Sequence, residues 1–200
     1  MGEAPVPGGL GILGGTFDPP HVGHLVAAVN VRYALGLDEV LLVVANEPWQ
    51  KAHLPVSRAA DRLAMVEAAV EGVPGMEASA LEIERGGTSF TADTLDELAA
   101  RFPDRQLVLV LGSDAAAGLA SWDRVEEVRR RASLVVVTRP GGDGGPVPPG
   151  WDVRHVEIPR LEVSSTDLRA RVADGRPLDW LVPAPVVALI RERELYAAGG

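Results

Sequence analysis

The sequence predicts an α/β fold built on one doubly wound parallel sheet with helices on both faces. Apolar runs of strand length alternate with helical patterns along most of the chain, and this alternation is typical of a parallel sheet. The runs Val40–Val44 and Leu107–Leu111 are continuously apolar, as expected for strands that helices cover on both sides. With 200 residues, 46% of them hydrophobic, the chain can bury one substantial core, so we expect a single Rossmann-like domain.

The elements are predicted in order from residue 10 onward. Short apolar runs predict strands at Leu10–Leu13, Val40–Val44, Met76–Ile83, Leu107–Leu111, Leu134–Thr138 and Val153–Ile158. Apolar residues at helical spacing predict helices at His21–Leu35, Arg58–Glu71, Thr91–Arg101, Val125–Arg131, Thr166–Ala173 and Pro185–Tyr196. The first helix is expected to face the core with the apolar stripe Val22, Leu25, Val26, Val29 and Tyr33.

Local composition predicts how the remaining segments behave. Thr91 is a suitable cap for the helix that follows the Gly-containing turn 85–91. Residues 141–150 are almost entirely Gly and Pro, which predicts a flexible surface loop. Residues 1–9 have neither a basic start nor an apolar stretch, so we expect a disordered tail rather than a signal peptide. The predicted domain therefore covers residues 10–200.

The composition excludes several classes of function. The chain has no cysteine, which excludes disulfides, thiolate metal sites and a Cys nucleophile. Its net charge of −9 differs from the basic character of proteins that hold long nucleic acids. No run approaches the ~18 consecutive apolar residues of a membrane span. We therefore predict a cytoplasmic protein that binds neither nucleic acid nor membrane, and the sequence leaves homo-oligomerisation open.

The most informative segment is Gly14-Gly15-Thr16-Phe17-Asp18-Pro19-Pro20-His21-Val22-Gly23-His24, at the junction of the first strand and the first helix. Backbone N–H groups converge at such a junction and favour an anion. His21 and His24 are three residues apart, so both imidazoles are expected on one side of the first turn. A Gly pair alone usually marks a turn, and a lone surface His usually has no role. Their combination predicts a polyphosphate site.

A second candidate phosphate motif is Val163-Ser164-Ser165-Thr166-Asp167-Leu168-Arg169. One hydroxyl would be enough to cap the helix that follows. Three consecutive hydroxyls, with Arg169 one turn later, suggest that a second helix N-terminus points at phosphate.

Further candidate residues follow other strands of the predicted sheet. Lys51 lies in the loop after the second strand, and Arg139 ends the fifth. Asp114, in Gly112-Ser113-Asp114, could reach a ribose hydroxyl or a metal. Trp122 is either a core residue or a stacking surface for a heterocycle. The Gly-x-Gly-x-x-Gly pattern of a dinucleotide cofactor site is absent.

Together these residues resemble the bacterial nicotinate-mononucleotide adenylyltransferases of the nucleotidylyltransferase superfamily, from about Leu10 to Tyr196. Segments 14–24 and 164–169 match the superfamily's two phosphate motifs, and 85–91, 112–114 and 121–122 are similar to this family's pattern. The loop Trp49-Gln50-Lys51 departs from the more frequent Pro-His-Lys.

The resemblance implies a nucleotidylyltransferase fold and transfer of the adenylyl group of ATP to nicotinate mononucleotide. The products would be deamido-NAD and pyrophosphate, formed by direct in-line attack with Mg²⁺ accompanying ATP and no metal site of the protein itself. The implied catalytic residues are His21, His24, Lys51 and Arg169. The implied ATP-binding residues are Gly14, Gly15, Thr16, Phe17, His21, His24, Gly112, Asp114, Ser164, Ser165, Thr166 and Arg169. The implied acceptor-binding residues are Asp18, Lys51, Thr88, Trp122 and Arg139.

Three alternatives to this function stay open at the level of sequence. The acceptor could be nicotinamide mononucleotide or pantetheine phosphate, although a carboxylate receptor at Thr88 and a stacking Trp122 favour nicotinate. The chain could also be a non-catalytic nucleotide sensor on the same fold. A class I aminoacyl-tRNA synthetase shares a His-x-Gly-His motif, but this chain is too short and lacks a Lys-Met-Ser-Lys-Ser run.

Overall fold

A computed structural model of the protein describes residues 5–49, 54–141 and 147–197. The strands of the main sheet are β1 (Leu10–Gly15), β2 (Glu39–Val44), β4 (Met76–Ser79), β6 (Leu107–Gly112), β7 (Ala132–Thr138) and β8 (Val153–Glu157), and a small second sheet pairs β3 (Glu47–Pro48) with β5 (Thr88–Ser89). The helices are α1 (Val22–Leu35), α2 (Ala59–Val70), α3 (Leu81–Arg85), α4 (Thr91–Arg101), α5 (Ser113–Ala117), α6 (Val125–Arg131), α7 (Ser165–Ala173) and α8 (Ala184–Glu192), with a 3₁₀ turn at Leu119–Ser121.

The main sheet is parallel throughout, in the order β4-β2-β1-β6-β7-β8. Gly11 of β1 stands between Val40 of β2 and Val108 of β6. The chain runs outward from β1 in one direction and then returns to its other side with β6. This confirms the predicted doubly wound sheet, and it places the switch in strand order between β1 and β6, where α/β proteins bind ligands.

Helices bury both faces of the central strands. Leu42 and Val44 of β2 pack in the cluster that contains α1, whereas Leu41 and Val43 pack in the cluster that contains α4. Each β2 side chain from Val40 onward is buried, whichever way it points. The continuously apolar sequence of this strand is explained by this double cover. A third cluster joins α2, α7 and α8.

The predicted core stripe of α1 is correct at Leu25, which packs against the core, and wrong at Val29 and Tyr33. Val29 is 45% exposed and Tyr33 89% exposed, while the helix buries Ala27, Ala28, Val31 and Leu35. The small alanine side chains leave room for the helix to lie close to the sheet, and tertiary packing therefore selected the less hydrophobic face. Since His24 is half-buried and lies one helical turn before Ala27 and Ala28, it stays beside the ligand end of the sheet.

Several element boundaries also differ from the prediction. The strand predicted at Met76–Ile83 ends at Ser79, and Leu81–Arg85 forms the short helix α3. The tail predicted to be disordered over residues 1–9 is packed over its described part, because Val6 is buried and its N–H donates to the Leu35 carbonyl at 2.7 Å. Elements of two to five residues carry too little periodicity to be recognised in the sequence.

A buried arginine of α2 binds the carboxyl ends of β1 and β2. Arg62 is 1% exposed and donates to the carbonyl oxygens of Thr16, Ala45, Asn46 and Ser57 at 2.6–3.0 Å. Burial lowers the pKa of this guanidinium, and the negative charge of Asp18 opposes that effect. The arginine satisfies carbonyl groups that would otherwise be buried without donors.

Replacing this arginine is expected to destabilise the fold strongly. Arg62→Met removes the donors but keeps much of the side-chain volume, so we expect unfolding in denaturant to show a loss of at least about 3 kcal/mol. The exposed Arg101 of α4 provides a matched control, and Arg101→Met should stay within about 0.5 kcal/mol of wild type. Equal losses in the two variants would contradict the assigned role.

Candidate active site

Two cavities open at the carboxyl ends of β1 and β6. The larger has a volume of about 640 Å³ and lies between α1, β6, α5, β7 and the segment 158–163. The smaller has a volume of about 160 Å³ and lies on the other side of β1, toward α4. Gly14, Leu111 and Ala115 line both cavities, so two ligands bound there would meet at the end of β1.

His21 and His24 both line the larger cavity and form one stacked pair. Their ring centroids are 3.7 Å apart with 25° between the ring planes. The backbone N–H of His21 donates to Nδ1 of His24 at 3.2 Å, which leaves the proton of the neutral His24 ring on Nε2. The edge-to-face contact with Phe17, at 5.0 Å, fixes the His24 ring further. The expected convergence of the two imidazoles is therefore observed.

Burial determines the charge of His21. The residue is 8% exposed, and burial lowers its pKa from 6.5 to about 4. Its Nδ1 atom is buried without a hydrogen bond to any residue that the structure describes. His21 is therefore a neutral imidazole near pH 7, and its residue lines the larger cavity.

The glycines of the first motif have three different surroundings. A Cβ on Gly23 would lie 3.0 Å from Nδ1 of His21 and 3.2 Å from Val163, so a side chain here would crowd the imidazole and the segment before α7. A Cβ on Gly14 would meet no atom within 4 Å, because it would point into open space at the cavity. Gly15 differs again, since its Cβ would collide with the Phe17 ring at 2.8 Å.

Residues from the ends of two further strands, β6 and β7, complete the larger cavity. Gly112 and the exposed Asp114 follow β6, and Thr138 and Arg139 end β7. The sequence assigned Arg139 to the acceptor, but this residue lines the cavity of the histidine pair. Its guanidinium therefore belongs on the same side of β1 as the expected triphosphate.

The second motif is hydrogen-bonded to the first. Ser165 donates its hydroxyl to the Pro19 carbonyl at 2.9 Å, and Arg169 donates to the Asp18 carbonyl at 2.8 Å. Ser164 caps α7 by accepting the Asp167 N–H at 3.2 Å. These bonds hold the start of α7 against the first motif, and the predicted roles of Ser164 and Ser165 toward phosphate stay predictions.

Thr166 and Arg169 lie at the start of α7 beyond Val163, the last residue of the segment that lines the larger cavity. They interact with each other at 3.4 Å. Their roles toward phosphate stay predictions.

Asp18 is a structural residue rather than an exposed substrate ligand. It is 3% exposed, and its carboxylate accepts the Tyr196 hydroxyl at 2.6 Å and the Ser57 N–H at 3.1 Å. Burial raises the pKa of Tyr196 above its ordinary range, so the phenol stays protonated as a donor. The sequence-based assignment of Asp18 to the acceptor is corrected, because both carboxylate oxygens are used inside the protein.

Trp122 and Trp49 both line the smaller cavity, together with Gly15 and Thr16. Trp122 is half-buried, and its indole N–H makes no hydrogen bond within the described part of the chain. Thr88, predicted to contact the acceptor, is exposed in β5 and lines a neighbouring groove that also includes Trp49. The groove and the smaller cavity share Pro48 and Trp49, and the predicted role of Thr88 toward the acceptor stays a prediction.

Other predicted residues have simpler outcomes. Phe17 is buried beneath the histidine pair and can contact a nucleotide only through its main chain. Lys51 lies outside the described residues. Arg62, Glu82 and Tyr196 are charged or phenolic residues that the fold buries, and no sequence motif marked them as candidates. Nothing in their local sequence distinguishes them from surface residues.

A parallel sheet with two cavities at its switch point and an imidazole pair at the first helix defines a nucleotide-binding α/β protein. Residues 12–171 match the cytidylyltransferase-like family. The chain is 47% identical over 187 residues to a probable nicotinate-nucleotide adenylyltransferase of Streptomyces coelicolor, covering 92% of this chain and 98% of that protein. It is 44% identical over 188 residues to a protein of the same name from Saccharopolyspora erythraea, covering 94% and 89%.

A solved structure shows the same fold at much lower identity. Nicotinic acid mononucleotide adenylyltransferase of Plasmodium falciparum, complexed with NaAD, superposes with a TM-score of 0.76 at 18% identity, covering 94% of this chain and 97% of that one. The chain belongs to the cytidylyltransferase-like family and, within it, to the nicotinate-nucleotide adenylyltransferases.

The depressed pKa of His21 predicts a loss of stability in acid. The unfolded chain binds a proton at this residue near pH 6.5, whereas the folded protein binds it only near pH 4. Between these values the unfolded state holds more protons, so acidification should lower the free energy of unfolding by up to about 3 kcal/mol. Denaturant unfolding at several pH values, compared between wild type and His21→Gln, measures this contribution.

The exposed His155 serves as the control for that measurement. His155→Gln should keep the acid dependence of wild type, whereas His21→Gln should flatten it. Parallel curves for wild type and His21→Gln would show that His21 does not resist protonation.

Proposed function

We propose that this protein transfers the adenylyl group of ATP to nicotinate mononucleotide, giving deamido-NAD and pyrophosphate. The observation that carries the proposal is that the histidine-lined cavity and the tryptophan-lined cavity meet at Gly14. The larger volume lies within the range of about 300–1,000 Å³ that is usual for small-ligand sites. ATP would occupy the larger cavity, and the pyridine ring of the acceptor would occupy the smaller one.

The proposed reaction needs no general base and no covalent intermediate. The attacking oxygen belongs to the phosphate of the mononucleotide, which is already ionised near pH 7. This oxygen forms the new bond to the α-phosphorus of ATP. The bond between the α-phosphorus and the oxygen that bridges to the β-phosphorus breaks, and pyrophosphate leaves with the electron pair. The protein must hold the two anions in line and stabilise the charge that develops on the phosphoryl oxygens.

The histidine pair is suited to this task as a set of hydrogen-bond donors. Its imidazoles line the larger cavity where β1 ends, and the pKa of His21 near 4 keeps that ring uncharged at neutral pH. An N–H donor aimed at a developing negative charge in a dry site stabilises the transition state by about 3–4 kcal/mol. Positive charge in the same cavity would come from Arg139.

We also propose that Mg²⁺ arrives with ATP as part of the substrate. The described residues contain no group of three or more His, Cys, Asp or Glu side chains that could hold a metal ion by themselves. Asp114 is the carboxylate that lines the ATP cavity, and it could contact such an ion from one side. The ion would neutralise phosphate charge during transfer.

Pyrophosphate release tests the function directly. The assay would use ATP with nicotinate mononucleotide, nicotinamide mononucleotide or phosphopantetheine, each with and without Mg²⁺. We expect release to be fastest with nicotinate mononucleotide and to require the metal. Binding of ATP without release for any acceptor would instead identify a nucleotide sensor.

Removing either imidazole should slow the chemical step. We expect His21→Ala and His24→Ala to lower kcat by at least ~100-fold, because each removes a donor to the transferring group. Tyr33→Ala, on the exposed face of the same helix, should leave kcat unchanged. Steady-state kinetics on variants with native circular dichroism would decide, and near-normal turnover of either histidine variant would refute its role.

Loss of the indole at position 122 should affect acceptor binding instead. Trp122→Ala is expected to raise KM for nicotinate mononucleotide about tenfold, because base–aromatic stacking contributes roughly 1–3 kcal/mol, while KM for ATP changes little. The control is Trp180→Ala, since that indole is 93% exposed and lines neither cavity. An unchanged acceptor KM in Trp122→Ala would indicate that the ring only fills the core.

A further inference from the structure

The smaller cavity has one ionisable side chain in its described lining, and it is an acid. Its lining consists of glycines, apolar residues, hydroxyl residues, two tryptophans and Glu82. Glu82 is 7% exposed and lies at the start of α3, which packs beside the carboxyl end of β2. An anionic side chain is unexpected in a pocket for an acceptor that is itself an anion.

The surroundings of Glu82 hold its position without neutralising it. Thr94 of α4 donates its hydroxyl to Oε1 of Glu82 at 2.5 Å. The nearby Arg85 donates to the Thr94 oxygen at 3.2 Å but pairs with Glu97 at 2.8 Å. Glu82 forms no ion pair with any residue that the structure describes.

A buried carboxylate without a counter-ion favours a cation beside it. Taking a charge out of water without pairing it is costly, so a positive ligand group regains part of that cost. The two tryptophans of the same cavity add aromatic faces, which also attract cations. The smaller cavity therefore combines a carboxylate with aromatic faces, the two kinds of group that recognise a flat organic cation.

We propose that Glu82 is a specificity-determining residue that supplies the negative charge facing the pyridinium ring of the acceptor. The pyridine of a mononucleotide is bonded to ribose through its nitrogen, so the ring carries a fixed positive charge at every pH. Glu82 selects acceptors with such a ring over acceptors without a cationic group, such as phosphopantetheine. This inference rests on the function proposed above and adds the chemical feature by which its smaller cavity recognises the acceptor.

The substitution Glu82→Gln separates charge from hydrogen bonding, because the amide oxygen can still accept the Thr94 hydroxyl. We expect KM for nicotinate mononucleotide to rise about tenfold, which corresponds to about 1.4 kcal/mol, with KM for ATP unchanged. The inhibition constant of nicotinamide mononucleotide should rise by a larger factor than KM for nicotinate mononucleotide. The nicotinamide ring has no carboxylate to offset its positive charge, so it depends more on the charge of Glu82. A purely structural role would weaken both compounds equally.

Two matched variants complete the comparison. Thr94→Val keeps the carboxylate and removes its hydrogen bond, so it should change both constants less than Glu82→Gln does. Glu97→Gln makes the same chemical change on the exposed side of α4, and it should leave both constants at wild-type values. Larger effects in Thr94→Val than in Glu82→Gln would overturn the proposal.

A measurement on the wild-type protein keeps the test independent of how the variants fold. We expect 1-methylpyridinium to inhibit competitively against nicotinate mononucleotide. Its inhibition constant should be at least tenfold lower than that of toluene, its neutral isostere. Equal potency would refute the charge complement at Glu82. By contrast, absence of turnover with nicotinate mononucleotide in wild type would refute the proposed function itself, so the two failures are distinguishable.

Discussion

The buried guanidinium of Arg62 is the interaction on which the candidate site depends. Its donors bind the carbonyl groups where β1 and β2 end, and they also hold the segment that leads into α2. Asp18 then joins this region to Tyr196 near the end of the described chain, and its main-chain carbonyl accepts a bond from Arg169. A hydrogen bond between residues more than 170 positions apart in the sequence thereby helps to fix the loop that leads to His21.

The electrostatics of the site combine neutral donors with a small number of charges. A chain with a net charge of −9 repels a triphosphate at long range, but this field is screened beyond a Debye length of about 8–10 Å. Inside the larger cavity the ligand would meet imidazole N–H groups and Arg139. The uncharged imidazole of His21 costs less to bury than an imidazolium ion would, and a neutral ring can still donate a hydrogen bond to a phosphate oxygen.

The division into two cavities is a consequence of the topology. Because the chain reverses its direction of winding between β1 and β6, the connections from these strands leave to opposite sides and open a crevice at their carboxyl ends. Gly14 forms the boundary between the two cavities, and its missing side chain leaves the space that a Cβ would occupy. The reacting groups of two ligands can therefore meet beside the end of one strand.

The sequence by itself determined the order of the main-sheet strands and of the longer helices, the parallel doubly wound sheet and the two motifs that mark the candidate site. These features depend on local periodicity and on residue spacing within one turn, as with Val40–Val44 and the pair His21 and His24. The buried face of α1, the partners of Asp18 and Ser165, and the cavity that Arg139 lines were decided only by the tertiary structure. Their roles depend on contacts between distant segments, as when Tyr196 binds Asp18, and no local pattern encodes such contacts.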